Sequence, residues 1–519
     1  MRTTSIVVAL ALLPAALVAQ ARPALTQQPI HLTMQEAVRR ALETGEEVRL
    51  AEAAHQQAHG QVTQAYSAAL PELRANLTYT RTFASVFAGG QQTGPPLPPF
   101  EPDTTASLSD RIRYLEDEYP NALPRGIGQL FAATPFGRAN TYVASLTLTQ
   151  TLFQSGKIGA GLRGARAYER AATAQLEETR HDVVFRVKQA YLNALFAQRL
   201  LDIAEGSKSL SDEQLRRVEL NHRVGSSADY DLLRAQVESA NQEPQVIGAR
   251  NQRDLGMLEL RRLVNVPPEQ PVELDAGILA PGDSLPEADF AAVQADLASR
   301  AALDVAQATV EFRRQAVRVY RADLFPSLKF TMNFGGQAFP NGTFPGGLSD
   351  FRRDWNASLT LSLPIFDGLR IRGQVAQARA EFERAELQFE QTREAVGIEV
   401  EQARLELARA RALVAARQQT VAWAERAHHL ASVRHTNGIA TALEVSDARL
   451  AMQQAQVNEA QATRDYLLGV AALERALGRP VPMVRRGDQR AGGAGGAGGA
   501  GGAGGAVGGV GGQPSGDSR

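Results

Sequence analysis

The side chains that could do chemistry in this 519-residue sequence form no catalytic pattern. There is no cysteine, which excludes disulfides, thiol catalysis and cysteine-ligated zinc. No nucleophile–base pair or phosphate-binding loop is evident. His428, His429 and His435 are neighbours in sequence, but their spacing fits no metal-ligand pattern. The sequence therefore predicts a protein that is not an enzyme and that needs no cofactor or metal.

The charged residues are balanced and give no sign of a nucleic-acid partner. Lysine and arginine number 55, aspartate and glutamate 56, for a net charge of -1. Charge runs such as 399–411 are typical of solvated helix faces. Thr441 and Glu444 have the spacing of a capping box, which marks the start of a helix.

An internal duplication organises the chain. The segment Ala-Ser-Leu-Thr-Leu at 144–148 recurs at 357–361, an offset of 357 − 144 = 213. Gly225 matches Gly438 and Pro267 matches Pro480 at the same offset, so the two copies run in register. Upstream the offset rises to 255, which places 42 extra residues (255 − 213) in the first copy.

Each copy contains two segments of about ten residues in which apolar and polar side chains alternate. They predict two β-hairpins, 72–152 and 327–364, with long and irregular connections at 84–139 and 335–353. This length suits tilted membrane-spanning strands, and the alternation also fits a soluble sheet with one wet face. Polar faces rich in Thr, Ser and Asn favour the membrane interpretation.

Very long helices follow the hairpins. Residues 156–222 and 369–436 lack proline and predict rods of about 67 residues, on the order of 100 Å each. Each rod ends at a glycine suited to a C-cap, and a second helix then completes a helical hairpin. Shorter helices are predicted at 33–69 and 287–323.

The two ends of the chain differ from its body. Residues 1–21 have the positive end, apolar run and small-x-small site of a secretory signal, and residues 491–512 are almost entirely Gly and Ala. The predicted domains are a signal peptide (1–21), a first repeat (22–267, with its helical hairpin at 156–264), a second repeat (268–480, with its helical hairpin at 369–478) and a disordered tail (481–519).

Four membrane strands cannot close a barrel alone, because an open edge in lipid leaves backbone groups unpaired. Two copies would give eight strands, whose interior side chains fill the lumen, and three would give twelve, which leave a pore. This reasoning favours a trimer without excluding other closures. The fold class is then a mixed α+β membrane protein, with a shared β-barrel continued by a periplasmic helical barrel.

The pattern resembles the TolC-type outer-membrane efflux proteins over roughly residues 30–485. The duplication, the proline-initiated strands, the paired long helices and the segments 224–235 and 437–448 carry the resemblance. It implies a homotrimer with a twelve-stranded barrel in outer-membrane lipid and a periplasmic helical tunnel. It also implies docking to a periplasmic adaptor protein and to an inner-membrane pump of the RND, ABC or MFS type.

The resemblance also assigns roles to particular residues. The hairpin tips that would meet the adaptor are Val224, Gly225, Ser226, Asn437, Gly438 and Ile439. Glu444 and Asp447 occupy positions that form an acidic constriction ring in some members. Asp231 matches a position that bonds an aromatic hydroxyl elsewhere in the family, but the partner position here is His435. A tyrosine-based lock is therefore not expected, and the periplasmic gate is predicted to be looser or pH-sensitive.

The function predicted from these features is a passive outer-membrane duct for efflux or type I secretion, carrying small molecules or polypeptides. Two alternatives remain open at this level. A periplasmic adaptor also carries a long helical hairpin, although it would have one hairpin rather than two in tandem. A soluble coiled-coil scaffold would lack the signal peptide and the amphipathic strands.

Overall fold

The computed structural model describes residues 29–84, 101–133, 138–275, 277, 287–288, 300–340, 342–481 and 483–484. The predicted signal peptide and nearly all of the tail lie outside these residues. The chain divides into two compact units that alternate along the sequence. Of the described residues, the first unit comprises those within 29–48, 180–288 and 400–484, and the second comprises those within 49–179 and 300–399.

Two helices of 67 residues dominate the secondary structure: α4 is Lys157–Arg223 and α8 is Arg370–Thr436. Each begins one residue after the predicted start and ends within one residue of the predicted end. Proline is absent from both, so the hydrogen-bond ladder continues without interruption. Within the described residues, no helix is long and apolar enough to cross a membrane.

The helices that return from the tips differ between the copies. In the second copy α9, Ala442–Leu477, is one helix of 36 residues. In the first copy, the helix predicted to continue to 264 is divided into α5, Asp229–Ala240, and α6, Gln242–Leu263. Pro244 lies in the first turn of α6, where its missing N–H costs no helical bond, whereas the matching position in α9 is Val457. Proline thus explains why only one copy is divided.

Two shorter predicted helices also differ from expectation. The helix predicted at 33–69 is α1, Met34–Thr44, and α2, Glu46–Ser67. They are separated at Gly45, whose added Cβ would lie 2.2 Å from the Ala41 carbonyl oxygen. The helix predicted at 287–323 is α7, Ala301–Ala322. Residues Glu287–Ala288 are instead a strand, β5, because their backbone pairs with that of strand β8, Met483–Val484.

The main sheet has four antiparallel strands: β2, Glu72–Arg81; β3, Asn140–Phe153; β6, Ser327–Ala338; and β7, Arg352–Ser362. Their order in the sheet is β2-β3-β6-β7. Each predicted hairpin forms, and the central pairing of β3 with β6 joins the two copies of the duplication. Among the described residues, β2 and β7 have no second strand neighbour.

In these strand pairings, apolar side chains lie opposite apolar ones and polar side chains opposite polar ones, so each type stays on one face of the sheet. One apolar row runs Ala75, Leu146, Phe334 and Trp355, each opposite the next. A polar row on the other face runs Arg74, Thr147, Asn333 and Asn356. Thr147 Oγ1 donates to Asn333 Oδ1 at 2.9 Å, and Asn333 Nδ2 donates to Asn356 Oδ1 at 3.2 Å. The sheet therefore has one apolar and one polar face.

The connection between β2 and β3 was predicted to be irregular, and this prediction was wrong. It contains α3, Leu108–Ala133, a helix of 26 residues. The prolines of this connection suggested a loop, yet Pro120 lies within α3. The residues before Pro120 instead place apolar side chains three and four apart, which favours a helix. The connection between β6 and β7 contains only a 3-10 turn, Leu348–Asp350.

Short strands and buried hydrogen bonds organise each unit. In the first unit, β1, Ile30–Leu32, pairs in parallel with β4, Val272–Leu274. The fully buried Tyr191 donates its hydroxyl hydrogen to the Leu32 carbonyl (2.9 Å) and accepts from the Asp275 N–H (3.1 Å). In the second unit, the buried Arg300 lies 3.2 Å from Glu178 of α4 and 3.3 Å from Glu399 of α8. This arginine fixes the start of α7 between the two long helices.

Candidate functional site at the helical-hairpin tips

The first unit contains both tips, and the two long helices end in the same backbone motif. At the first tip, the Ser226 N–H donates to the Asn221 carbonyl and the Gly225 N–H to the His222 carbonyl, both at 2.9 Å. Gly225 has φ of +74°. These two bonds and the left-handed residue define a Schellman motif. Glycine is required there because a Cβ would be strained at this φ.

The second tip repeats this geometry 213 residues later. The Ile439 N–H donates to the Arg434 carbonyl and the Gly438 N–H to the His435 carbonyl, again at 2.9 Å. Gly438 also has φ of +74°. The six residues predicted to contact an adaptor lie on these two turns, and all of them are exposed: Val224, Gly225, Ser226, Asn437, Gly438 and Ile439.

The acidic residues of the second tip lie at the start of α9. Thr441 is the N-cap, and its hydroxyl accepts from the Glu444 N–H at 3.3 Å while the Glu444 carboxylate accepts from the Thr441 N–H. Glu444 is also 3.8 Å from Arg434. Asp447 lies one turn further on and is exposed. Glu444 thus has a capping role of its own, and Asp447 is accessible to solvent.

The first tip carries a histidine–carboxylate contact at its bend. His222 Nε2 lies 2.6 Å from Asp229 Oδ1, across the bend between α4 and α5. The residues at the matching positions of the second tip are His435 and Ala442, so the contact is not repeated there. The second bend is instead crossed by Arg434 and Glu444 at 3.8 Å, so each bend has its own contact between the two arms.

A cleft of about 180 Å³ lies between the two hairpins, lined by α4, α5, α8 and α9. Asp231 is part of its lining, whereas His435 is not, so the structure does not bring these two predicted gate residues to one cleft. The titratable and charged side chains that line it are Glu213, Arg217, Asp231, Arg234, Glu238, His428 and Arg449.

Arg449 is the most buried charged group of the cleft, with 4% of its surface exposed. Its guanidinium donates to Glu238 Oε1 and to Ser207 Oγ, each at 2.7 Å. Ser446 also donates its hydroxyl to Glu238. Ser207 in turn donates to Gln453 Oε1 at 2.9 Å. We call Arg449, Glu238, Ser207, Ser446 and Gln453 the Arg449 cluster; it joins the first hairpin to the second through buried, charge-assisted hydrogen bonds.

The environment of this cluster changes the titration of a neighbouring histidine. Burial lowers the pKa of His428 below its ordinary value, and the positive charge of Arg449 adds to this effect. His429 and Arg217 contribute in the same direction. The environment of His428 therefore favours its neutral imidazole.

The sequence interpretation missed the Arg449 cluster. Its arginine and carboxylate occur once each rather than in both copies, since Arg449 matches Gln236 and Glu238 matches Ala451. Arg449 follows Val445 by one helical turn, on the face of α9 that is buried. The sequence feature that could have revealed the cluster is Arg449 itself, a charged residue at a core position of an otherwise apolar helix face.

Comparison with known proteins identifies the class of this chain. The family model described as outer membrane efflux protein matches residues 37–266 and 292–479, most of the sequence. The chain therefore belongs to the outer membrane efflux protein family, whose members are outer-membrane proteins and not enzymes. This assignment supports the outer-membrane interpretation over the periplasmic adaptor.

Individual relatives are more distant. The chain is 29% identical to Protein CyaE of Bordetella pertussis over 271 residues, which is 52% of this chain and 56% of the relative. It is 23% identical to the outer membrane protein TolC of Vibrio cholerae, over 64% of this chain and 76% of that protein. The match to CyaE thus spans little more than half of that relative's length.

Solved structures share the fold at lower identity. The outer membrane protein VceC of Vibrio cholerae aligns with a TM-score of 0.65 at 20% identity, covering 86% of this chain and 96% of its own. The CmeC outer membrane channel of Campylobacter jejuni aligns with a TM-score of 0.67 at 17% identity, covering 88% of each chain. Each of these similarities covers most of both chains.

Proposed function

We propose that this chain is one subunit of a homotrimeric outer-membrane channel, a passive duct whose energy comes from an inner-membrane partner. The observation that carries the proposal is the four-stranded sheet, with one apolar face and two outer strands that have no further neighbour within the part of the chain that the structure describes. Its apolar face remains exposed in a single copy, at residues such as Leu77, Trp355 and Leu361. Lipid would cover the apolar side chains of that face. Strands of neighbouring copies would pair with the free backbone groups at the edges of β2 and β7.

Closure by three copies gives a twelve-stranded barrel, wide enough for a lumen lined by the polar face. The helices support the same assembly. Large apolar side chains remain exposed along α8 and along α5 and α6, where a neighbouring copy would cover them: Leu387, Ile398, Leu405, Trp423 and Leu430, and Leu233, Val237, Ile247, Leu255 and Leu258. Each repeat, 22–267 and 268–480, would contribute one β-hairpin and one helical hairpin to the wall.

The partners of the channel are a periplasmic adaptor and an inner-membrane pump. Relatives are named for both cargo classes: an alkaline protease secretion protein of Pseudomonas aeruginosa and a toluene efflux pump outer membrane protein of Pseudomonas putida. We propose export of small molecules or polypeptides, with selection of the cargo by the pump.

Cell fractionation combined with native mass measurement tests the channel. We expect heat-modifiable trimers in the outer-membrane fraction, and detergent-solubilised protein that opens ion-conducting pores in planar bilayers. Recovery of a monomer from the soluble periplasm would refute the proposal.

The exposed turns at Gly225 and Gly438 are proposed as the adaptor-docking surface. A Cβ at Gly438 would have open space around it, but the φ of +74° strains any side chain there, so the control must carry the same strain. We expect Gly438→Trp to abolish crosslinking to the adaptor while the trimer still forms. Gly438→Ala is the control, because alanine has the same left-handed strain and adds little bulk. Persistent crosslinking of the tryptophan variant would place docking elsewhere.

The second tip is proposed as the periplasmic gate, with Glu444 and Asp447 as its acidic ring and Asp231 and His435 beside it. Three copies would place six carboxylates of Glu444 and Asp447 around one axis. Such a ring favours cations and repels anions.

A further inference from the structure

Helix α3, in the connection between β2 and β3, exposes four large apolar side chains. The exposed fractions are 73% for Leu108, 47% for Ile112, 49% for Leu115 and 81% for Tyr119. Their intervals of four, three and four residues place them on one side of the helix, within about 60°. Nothing in the channel proposal explains this row.

The row has the register of a coiled-coil seam. Leu108 and Leu115 take the d positions and Ile112 and Tyr119 the a positions of two successive heptads. Leucine at d with a β-branched residue at a favours pairing of two parallel helices, and Leu108, Leu115 and Ile112 match this pattern. The stripe is also narrower than the apolar face that a helix usually buries against a core or a membrane surface.

The helix contacts its own chain on a side other than the row. The Tyr114 hydroxyl accepts a hydrogen bond of 3.2 Å from the Glu101 N–H, and Tyr114 is half-buried. Tyr114 is turned about 130° around the helix from the centre of the apolar row. The four residues of the row are themselves exposed.

The flanking charges fit a second copy of the same helix. In this register Arg111 is a g residue and Glu116 is the e residue five positions later. Parallel coiled coils pair these two positions between neighbouring chains, so a guanidinium of one copy would face a carboxylate of the next. A membrane surface fits less well, because residues 108–119 contain four acidic and two basic side chains and phosphate-rich headgroups repel acidic helices.

We propose that the α3 helices of neighbouring copies pack against one another in parallel, forming a helical cap over the external mouth of the channel. Leu108, Ile112, Leu115 and Tyr119 form its core, and Arg111 pairs with Glu116 of the next copy. The proposal rests on the trimeric channel proposed above, and it adds an inter-subunit contact outside the barrel and the periplasmic helices.

Disulfide crosslinking tests the contact cleanly, since the sequence has no cysteine and any introduced one is unique. We expect Leu115→Cys to give a covalent dimer on mild oxidation of the purified trimer, because a d-position disulfide joins two of three chains. The matched control is Asp117→Cys, which is exposed on the opposite side of the helix and should give at least tenfold less dimer. Equal crosslinking at both positions, or none at either, would overturn the proposal.

Charge reversal tests the register. Arg111→Glu places like charges opposite each other and is expected to reduce Leu115→Cys crosslinking several-fold. Adding Glu116→Arg to that variant should restore the crosslinking, since the opposite charges then meet again. Failure of the double reversal to restore it would reject the parallel pairing.

Native mass measurement of the same samples separates the two proposals. A trimer in which Leu115→Cys does not crosslink removes the α3 contact and leaves the channel intact. A monomer removes both.

Discussion

The acidic pair of the second tip shows how one residue can have two roles. Glu444 completes a capping box with Thr441, and Asp447 makes no such contact with the cap and is exposed. A test of the ring must therefore remove charge without removing the cap. Glutamine at the N3 position retains the capping hydrogen bond.

We expect Glu444→Gln combined with Asp447→Asn to lower the cation selectivity of the pore several-fold, because six carboxylates leave one constriction. The measurement is the reversal potential across a planar bilayer in a salt gradient. Glu401→Gln with Glu406→Gln is the control, since it removes the same number of charges from exposed positions on α8. Unchanged selectivity in the tip variant would reject the ring.

His428 gives the cleft a pH dependence whose sign follows from its surroundings. Burial and Arg449 lower its pKa in the folded protein. The folded state therefore binds fewer protons than the unfolded state below about pH 6.5, and stability is lost as the pH falls through this range. The carboxylates of Glu213, Asp231 and Glu238 also line the cleft, and the arginines Arg217, Arg234 and Arg449 oppose them.

We expect His428→Gln to reduce the loss of thermal stability between pH 7.5 and pH 5.5, because glutamine takes up no proton. The measurement is the Tm of the detergent-solubilised protein across this range. His429→Gln serves as the comparison, since His429 is exposed and lies outside the lining of the cleft. Equal pH dependence in the wild type and His428→Gln would show that other groups control it.

At the scale of elements, the two hairpins differ in how their return helices begin. Thr441 caps α9 with its side chain, whereas Ala228 occupies the matching position of α5 and provides no side-chain cap. The duplication thus supplies a capped and an uncapped version of one turn. The first tip has the His222–Asp229 pair in place of the cap.

Exchanging the caps should move stability in opposite directions. We expect Thr441→Ala to destabilise the start of α9 by about 0.5–2 kcal/mol and Ala228→Thr to stabilise the start of α5 by about 0.5–1 kcal/mol. Hydrogen exchange of the first-turn amides measures both changes in their own helices. A threonine at 228 that leaves exchange unaltered would show that the His222–Asp229 contact already holds this turn.

The ends of the helices show which features of the fold can be predicted from neighbouring residues alone. The starts and ends of α4 and α8 follow from an uninterrupted helical pattern and a terminal glycine, both of which are local. The divisions at Gly45 and Asn241 and the helix α3 were not predicted. The prediction continued one helix through Gly45 and another through Pro244, although both residue types weaken a helix interior. In α3 the prolines outweighed the apolar spacing in the prediction.

At the scale of the whole molecule, the same substitution should have different effects on the two faces of the sheet, even at adjacent residues. Leu359 lies on the apolar face of β7 and Thr360 on the polar face. We expect Leu359→Arg to prevent recovery of trimers from the outer membrane, because a charge facing lipid costs about 2–4 kcal/mol near the midplane.

Thr360→Arg is the matched variant, with the same charge one residue away. We expect it to assemble normally and to change single-channel conductance, since its side chain would face the lumen. Quantitative blotting of heat-labile trimers and bilayer recording give the two readouts. Normal assembly of Leu359→Arg would contradict the lipid-facing assignment.

The sequence alone determined the duplication, the strand alternation, the two long helices and the glycine turns. These features depend on the backbone preferences and side-chain periodicity of neighbouring residues. The tertiary structure alone decided which distant residues meet. Arg449 and Glu238 are 211 residues apart, and the pairing of β3 with β6 joins the two copies. Neither follows from local pattern, because such contacts depend on how whole helices and strands pack.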